Sequence, residues 1–347
     1  MLNLATKRQD IGVVKLLLAY KADTEAKNEG CTPLHLAVQS NNGKVIRLLI
    51  AHHANTVALN GQGLTPLLAI LNNHQRPTRK QREIVHLLIN AGADVNAIGG
   101  VYGSALQAAA HHGDEFIVHA LLQHESKVDV NAQGGRFGSA LQAVVAAWAG
   151  KEVVEMLLNA GADPSAEGGE HGSALHAALS KGRNHLVEIL LQRGADTESK
   201  HSTTGLTALM VAVGRNDIDL VTLLLQHKAN TESVSKDGRT SLLVAAGTGN
   251  ARLVKALLEG GAGLEAKEPN CGRTALLVAS ERGDRDMMKV LLEAGADANS
   301  EGGIYGNAMR ALYRQDQETK DMLKRFGGRA EMKGKYCVSE TARRCWE

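Results

Sequence analysis

A short apolar run preceded by Ser or Thr returns along the whole chain at an almost constant interval, and no other feature limits the fold as strongly. The anchors are Thr32, Thr65, Ser104, Ser139, Ser173, Thr207, Thr240, Thr274 and, once, Asn307. Their spacings are 33, 39, 35, 34, 34, 33, 34 and 33 residues. Nine anchored units and a partial one before Thr32 make ten. Self-similarity at such a period marks stacked repeats, so the two or three domains usual for 347 residues give way to one array. The spacing of 39 comes from a polar insertion, His74-Gln75-Arg76-Pro77-Thr78-Arg79-Lys80-Gln81-Arg82.

Each unit repeats the same local logic. The anchor hydroxyl reads as a helix N-cap, accepting from an otherwise unpaired N–H. Pro33 and Pro66 follow two of the anchors, at the first helical position, where a missing N–H costs nothing. A short Ala-rich helix, such as Ala105 to Ala110, then ends on Gly113, Gly182, Gly249 or Gly283, with Asn41 and Asn216 as substitutes that tolerate a left-handed backbone. A second helix ends in a leucine pair, as in Ile117 to Leu122 and Leu186 to Leu191. Gly-Ala-Asp closes it at Gly92, Gly161, Gly194 and Gly295, while Lys21, His53 and Lys228 take the Gly place in three units. A helix pair of this size cannot bury its own apolar face, so neighbouring units must supply the core.

Composition narrows the function classes. Hydrophobic residues make up 44% but aromatics only 3%, with 37 Gly, which favours small packed helices and turns over a β-sandwich. Lys and Arg number 39 against 37 Asp and Glu, a net charge of +2. That balance is too even for a protein held to nucleic acid by its overall charge. No apolar stretch approaches the roughly 18 residues of a membrane helix, and Met1 to Arg8 has no apolar signal-peptide core. The four cysteines, Cys31, Cys271, Cys337 and Cys345, are scattered, so a reduced compartment, cytoplasmic or nuclear, is expected.

The run Cys31-Thr32-Pro33-Leu34-His35-Leu36-Ala37, the leucine pairs and the Gly-Ala-Asp endings resemble ankyrin repeats over residues 2–327. The resemblance implies an all-α fold, an ankyrin-repeat solenoid of about ten helix-turn-helix units. Residues 1–327 are the expected array, with 1–30 a partial N-terminal repeat, 299–327 a degenerate capping repeat and 328–347 a disordered tail. Its first unit lacks the start of a helix, so that end either frays or continues a longer protein. Four units carry a Gly-Gly-x-aromatic-Gly-Ser-Ala-Leu variant, starting at Gly99, Gly134, Gly168 and Gly302, with His171 and Asn307 among the departures. This variant resembles the arrays of filamentous fungi, which often follow an NACHT-type nucleotide-binding domain; nothing of that kind is in this sequence. The family's Thr-Pro-Leu-His is complete only at Thr32–His35, and His176 keeps the histidine. Elsewhere Gln107, Gln142, Leu68, Met210, Leu243, Leu277 or Arg310 stands there, so the family's Thr–His hydrogen bond is expected to be mostly absent.

Chemistry is hard to find. There is no Cys-x-x-Cys and no His-Glu-x-x-His, and Gly328 to Lys335 misses the P-loop by one residue and lacks its Ser/Thr. Ser104 and Ser139 recur in register, as caps do and catalytic serines do not. No enzyme activity, cofactor, metal or small-molecule substrate is therefore expected. His111, His112, His119 and His124 crowd one unit, but His119 shares its register with Lys15, Arg47, His86, Glu155 and Glu188, a solvent-facing stripe. In the insertion, Arg76, Arg79, Lys80 and Arg82 read as a solvated loop, with nuclear import or a phosphate contact as the functional alternatives.

The resemblance implies an unidentified protein partner on the concave face, and register locates the candidates. Tyr102, Phe137 and His171 lie two residues before their anchors; His111, His112 and Lys181 lie at the ends of first helices. Trp148 occupies the first-helix end of the Ser139 unit, which carries one extra residue. The finger aromatics equally read as seals between repeats. The expected function is a non-catalytic scaffold or adaptor, with no membrane contact and no direct nucleic-acid binding. The alternatives are a nuclear transcriptional co-regulator and the C-terminal sensor array of a larger NACHT-type ATPase.

Overall fold

The structure is a computed structural model that describes residues 1–73, 75–125, 127–147, 150–312 and 317–330. Two compact units divide it, Met1–Ala195 and Asp196–Glu347. Within the first, helices pair in chain order: α1 (Leu2–Lys7) with α2 (Ile11–Ala19), α3 (Pro33–Gln39) with α4 (Gly43–Ala51), and α5 (Pro66–Leu71) with α6 (Arg79–Asn90). Then come α7 (Ala105–His111) with α8 (Glu115–Leu122), α9 (Ala140–Ala146) with α10 (Lys151–Asn159), and α11 (Ala174–Ser180) with α12 (Asn184–Gln192). The second unit pairs α13 (Ala208–Gly214) with α14 (Ile218–Gln226), α15 (Ser241–Thr248) with α16 (Ala251–Glu259), α17 (Ala275–Arg282) with α18 (Arg285–Glu293), and α19 (Ala308–Ala311) with α20 (Gln317–Arg325). These twenty helices among the described residues are the ten expected pairs.

Caps explain where the helices start. Thr32, Thr65, Ser104, Ser139 and Ser173 each accept from the backbone N–H three residues on, as do Thr207, Thr240, Thr274 and Asn307 in the second unit. The second helices have caps of their own, Asp10, Asn42, Thr78 and Asp114 in the first unit and Asp217, Asn250 and Asp284 in the second. The stops are left-handed, from Asn41 (φ +51°) to Gly113 (φ +62°), and Lys21, His53 and Lys228 take the same conformation at φ +57°, +59° and +63°. Each of these three bears a Cβ penalty of roughly 1–2 kcal/mol.

Stacking then makes the core. In the first unit the first helices pack in sequence from α1 to α11 and the second helices from α2 to α10; in the second unit the rows run from α13 to α19 and from α14 to α20. Val45, Ile46 and Leu49 of α4 and Ile117, Val118 and Leu121 of α8 are each 0% exposed. The loops are laced together as well. Glu25 Oε1 accepts from Asn55 N at 2.9 Å, Asn96 Oδ1 from Asp129 N at 2.7 Å and Asn131 Oδ1 from Asp163 N at 2.8 Å. The second unit repeats this through Glu198, Glu232, Glu265 and Asn299.

The ends show both the reach and the limits of periodicity. α1 is helical from Leu2, without a side-chain cap. α20 buries only Thr319 and Leu323, as a terminal unit with a polar outer face should. Backbone bonding continues to Arg329, whose N–H donates to Asn299 Oδ1 at 2.9 Å. Residues 331–347, which hold most of the expected tail, lie outside the described residues. Cys31 is a free thiol, and Cys337 and Cys345 lie outside the described residues.

Candidate protein-binding surface

Residues 98–104 form the first of the Gly-rich fingers, a hairpin in which β1 (Ile98–Gly99) pairs antiparallel with β2 (Gly103–Ser104). β3 (Glu167–Gly168) and β4 (Gly172–Ser173) repeat it, and Gly134 bridges Gly138 between them. One finger's backbone lies directly on the next: Arg136 N donates to Val101 O at 2.9 Å and Glu170 N to Arg136 O at 3.1 Å. A Cβ on Gly135 would stand 2.2 Å from the Tyr102 carbonyl carbon, at a φ of +60°. The second Gly of the variant is therefore required twice over, by contact and by conformation.

Gln107 does what the sequence reading assigned to nothing. Its Oε1 accepts from Ser104 N at 2.6 Å, closing a capping box. Its Nε2 donates to Ala132 O at 3.1 Å, to Gly134 O at 3.2 Å and to Gly138 O, the carbonyls of the next finger. Gln142 makes the same set with Ser139, Ala166, Gly168 and Gly172. His35 performs the family's version, with Nδ1 at 2.8 Å from Thr32 Oγ1 and Nε2 at 3.0 Å from Leu64 O. Where Gln replaces the histidine, the lost Thr–His bond is thus replaced by a longer reach rather than left unmade. The Ser-x-x-Gln spacing, that of a capping box, is the local signal that would have found it. Ser104 and Ser139 are 2% exposed, their hydroxyls committed to these caps.

The candidate residues separate into two layers. Tyr102 and Phe137 are 4% and 8% exposed, behind the surface rather than on it. Their rings lie 6.4 Å apart and both touch His111, with centroids 4.8 and 4.7 Å away, and Tyr102 also meets His112 at 5.2 Å. Burial raises the Tyr102 pKa, opposed by the Arg136 charge. Arg136 lies over the Phe137 ring at 5.6 Å and pairs with Glu170 at 2.7 Å; His171 sits 3.4 Å from the same carboxylate. In front, a cavity of about 570 Å³ brings His111, His112 and Lys181 together with Arg76 of the insertion, Glu115 and Gly150. Trp148 lies outside the described residues.

The insertion is more ordered than a solvated loop. Thr78 and Gln81 form a capping box, so Arg79, Lys80 and Arg82 belong to the first turns of a twelve-residue α6. Arg76 Nη2 donates to Gly113 O at 2.9 Å. Arg82 Nε donates to Asp114, a fully buried carboxylate, at 2.8 Å, and its guanidinium lies 5.0 Å from the centre of the Phe116 ring. Arg79 pairs with Glu83 at 3.4 Å, and Lys80 faces a separate cavity beside Lys44 and Arg47. Contacts more than thirty residues apart in sequence give no local signal; Thr78-x-x-Gln81 is a local helix-start pattern that the loop reading passed over.

On the outer helices, His86, Phe116, His119 and Met156 line a shallow groove of about 360 Å³, and Phe116 is 67% exposed. Among the described residues no group of three His, Cys, Asp or Glu is placed to hold a metal ion, and no helix is long and apolar enough to cross a membrane.

The family model "Ankyrin repeats (3 copies)" matches residues 2–98, 78–168, 143–234 and 209–302. No curated protein matches the chain. The overlapping matches span most of the sequence and agree with the paired helices, left-handed stops and stacked fingers described above. The chain belongs to the ankyrin-repeat family.

Proposed function

We propose that this chain is a non-catalytic protein-interaction module, a scaffold or adaptor that engages its partner through the fingers and first helices of residues 1–195. Ankyrin repeats generally serve as such modules. The observation that carries the reading is the cavity beside the Tyr102–His111–Phe137 cluster, where Arg76, His111, His112 and Lys181 converge from the repeats anchored at Thr65, Ser104 and Ser173. The imidazole of His111 is held by two buried rings, so a partner would bind a surface already in place, at little cost in side-chain entropy. Aromatic groups beside a cation are the usual energetic centres of interfaces. Tyr102 and Phe137 contribute by support, and His111, His112 and Lys181 by contact.

The narrower readings have less behind them. A nuclear co-regulator draws on Arg76, Arg79, Lys80 and Arg82, but a capped helix and two tethered arginines suit an extended import signal poorly. The likeness to NACHT-linked fungal arrays rests on the four Gly-Gly fingers, and the family match adds nothing to it. Cytoplasmic and nuclear placement both fit the interaction reading. Its test is affinity capture from the native cells with wild type, Lys181→Glu and, on an outer helix, Glu188→Lys. A partner lost with Lys181→Glu and kept with Glu188→Lys supports the reading. Loss with the outer variant alone, or with neither, refutes this face.

A further inference from the structure

We propose that the cavity between the Arg76 loop and the first helices reads a carboxylate: an acidic segment of the protein partner seats one Asp or Glu side chain between Arg76 and Lys181. This rests on the interaction reading above and gives its partner a chemistry.

Ion pairing inside residues 1–195 takes up some cations and leaves others unpaired. Arg79 is paired with Glu83, Arg82 with Asp114 and Arg136 with Glu170. The two cations that line the cavity, Arg76 and Lys181, form no ion pair among the described residues. Of the five N–H donors of a guanidinium, Arg76 uses one on Gly113 O at 2.9 Å. That bond, together with the buried ring of Pro77 and the Thr78 cap behind it, fixes the guanidinium at the rim and leaves its other donors for a ligand. Lys181 follows the last residue of α11 and is exposed. Two positive groups without an ion pair thus face one recess.

Charge fixes the kind of anion. Glu115 lines the same cavity, so two cations stand against one carboxylate and the excess is a single positive charge. One partner carboxylate cancels it; a phosphate ester, at about −1.5 to −2, overshoots it and meets Glu115. A partly enclosed recess strengthens such a pairing over its value in open solvent. The volume of about 570 Å³ has room for the acidic side chain and part of the segment carrying it, which then lies across His111 and His112.

The experiment is a selection of random peptides displayed on phage against the full chain, followed by fluorescence anisotropy on a synthetic enriched peptide. The expected peptides share an Asp or Glu at one position, and its amide counterpart binds about tenfold or more weakly, the scale of a charge-assisted bond. Lys181→Glu and Arg76→Met each weaken the acidic peptide to a similar degree with circular dichroism unchanged. A peptide with Lys at the acidic position recovers binding to Lys181→Glu. Glu115→Gln tightens the acidic peptide, and phosphoserine at that position binds no better than Glu. Peptides without a shared acidic position that still depend on His112 overturn this inference and leave the interaction reading standing. Tighter binding of phosphoserine, or indifference to Lys181→Glu and Arg76→Met, also overturns it. A selection whose peptides depend on no residue of this face removes both readings.

Discussion

Replacing Gln107 with Ala should cost far more than its position on a short helix suggests. The side chain is 1% exposed. Its Oε1 holds the Ser104 N–H at 2.6 Å, and its Nε2 serves the carbonyls of Ala132 at 3.1 Å, Gly134 at 3.2 Å and Gly138. Each buried group left without a partner costs about 1–3 kcal/mol. Counting the Ser104 N–H and one carbonyl as wholly lost, and letting water or small shifts satisfy the others, gives a destabilisation of about 3 kcal/mol. Gln107→His should lose only about 1 kcal/mol, because an imidazole there can cap the anchor and reach the next finger, as His35 does at Thr32 Oγ1 and Leu64 O. Urea unfolding followed by circular dichroism measures both, fitted with nearest-neighbour coupling because a repeat array need not unfold in one step. Hydrogen exchange over residues 132–138 then locates the loss. A cost for Gln107→Ala below about 0.5 kcal/mol, the scale of ordinary surface changes, or unchanged exchange in that finger, would refute the reasoning.

Three further outcomes are expected. Leu190→Ala removes a fully buried member of a leucine pair and should cost about 2–5 kcal/mol in denaturant unfolding; a surface-sized loss would mean the helix register is wrong. Arg82→Met leaves the buried Asp114 carboxylate without its cation, and since Arg82 is partly exposed the loss should fall at or below the lower end of the 3–5 kcal/mol typical of broken buried pairs, about 2–3 kcal/mol. Thermal melting of that variant with and without Asp114→Asn tests it, since the second change should restore part of the loss. For pH, burial lowers the His35 pKa below 6.5, with Lys27 acting in the same direction and the Leu64 carbonyl and Glu25 opposing. The folded state holds the neutral imidazole, so its stabilisation is complete above the ordinary value and is lost as pH falls through it towards the lowered one. Between about pH 7.5 and 5, wild type should lose more stability than His35→Gln; equal losses would contradict the assignment.

What could be read from the residues follows from how local each signal is. Anchors such as Thr32 and Ser104, the left-handed stops at Asn41 and Gly113, and the leucine pairs announce themselves within a few positions, and ten copies reinforce them. Gln107 was missed because comparison with the family pattern registers it only as a missing histidine. The physical question, what an amide at that place can reach, needs the next finger's carbonyls in view. Register put Tyr102 and Phe137 on the finger correctly but carried no information on depth; the stacking of Gly135 and Gly169 against their carbonyls is what buries them. The docking of Arg76 on Gly113 and Arg82 on Asp114 spans more than thirty residues, beyond any local pattern. The helix start at Thr78 was nonetheless legible from the Thr78-x-x-Gln81 spacing, and the loop reading overlooked it.

Recognition through the fingers and first helices is tested most directly by a hydrogen-exchange footprint of the partner complex captured from native cells. The account predicts slowed exchange over residues 107–113, 142–147 and 176–182, with the outer helices unchanged. Slowing confined to the outer groove around Phe116, His119 and Met156, with residues 107–113 and 176–182 exchanging as in the free protein, would contradict it.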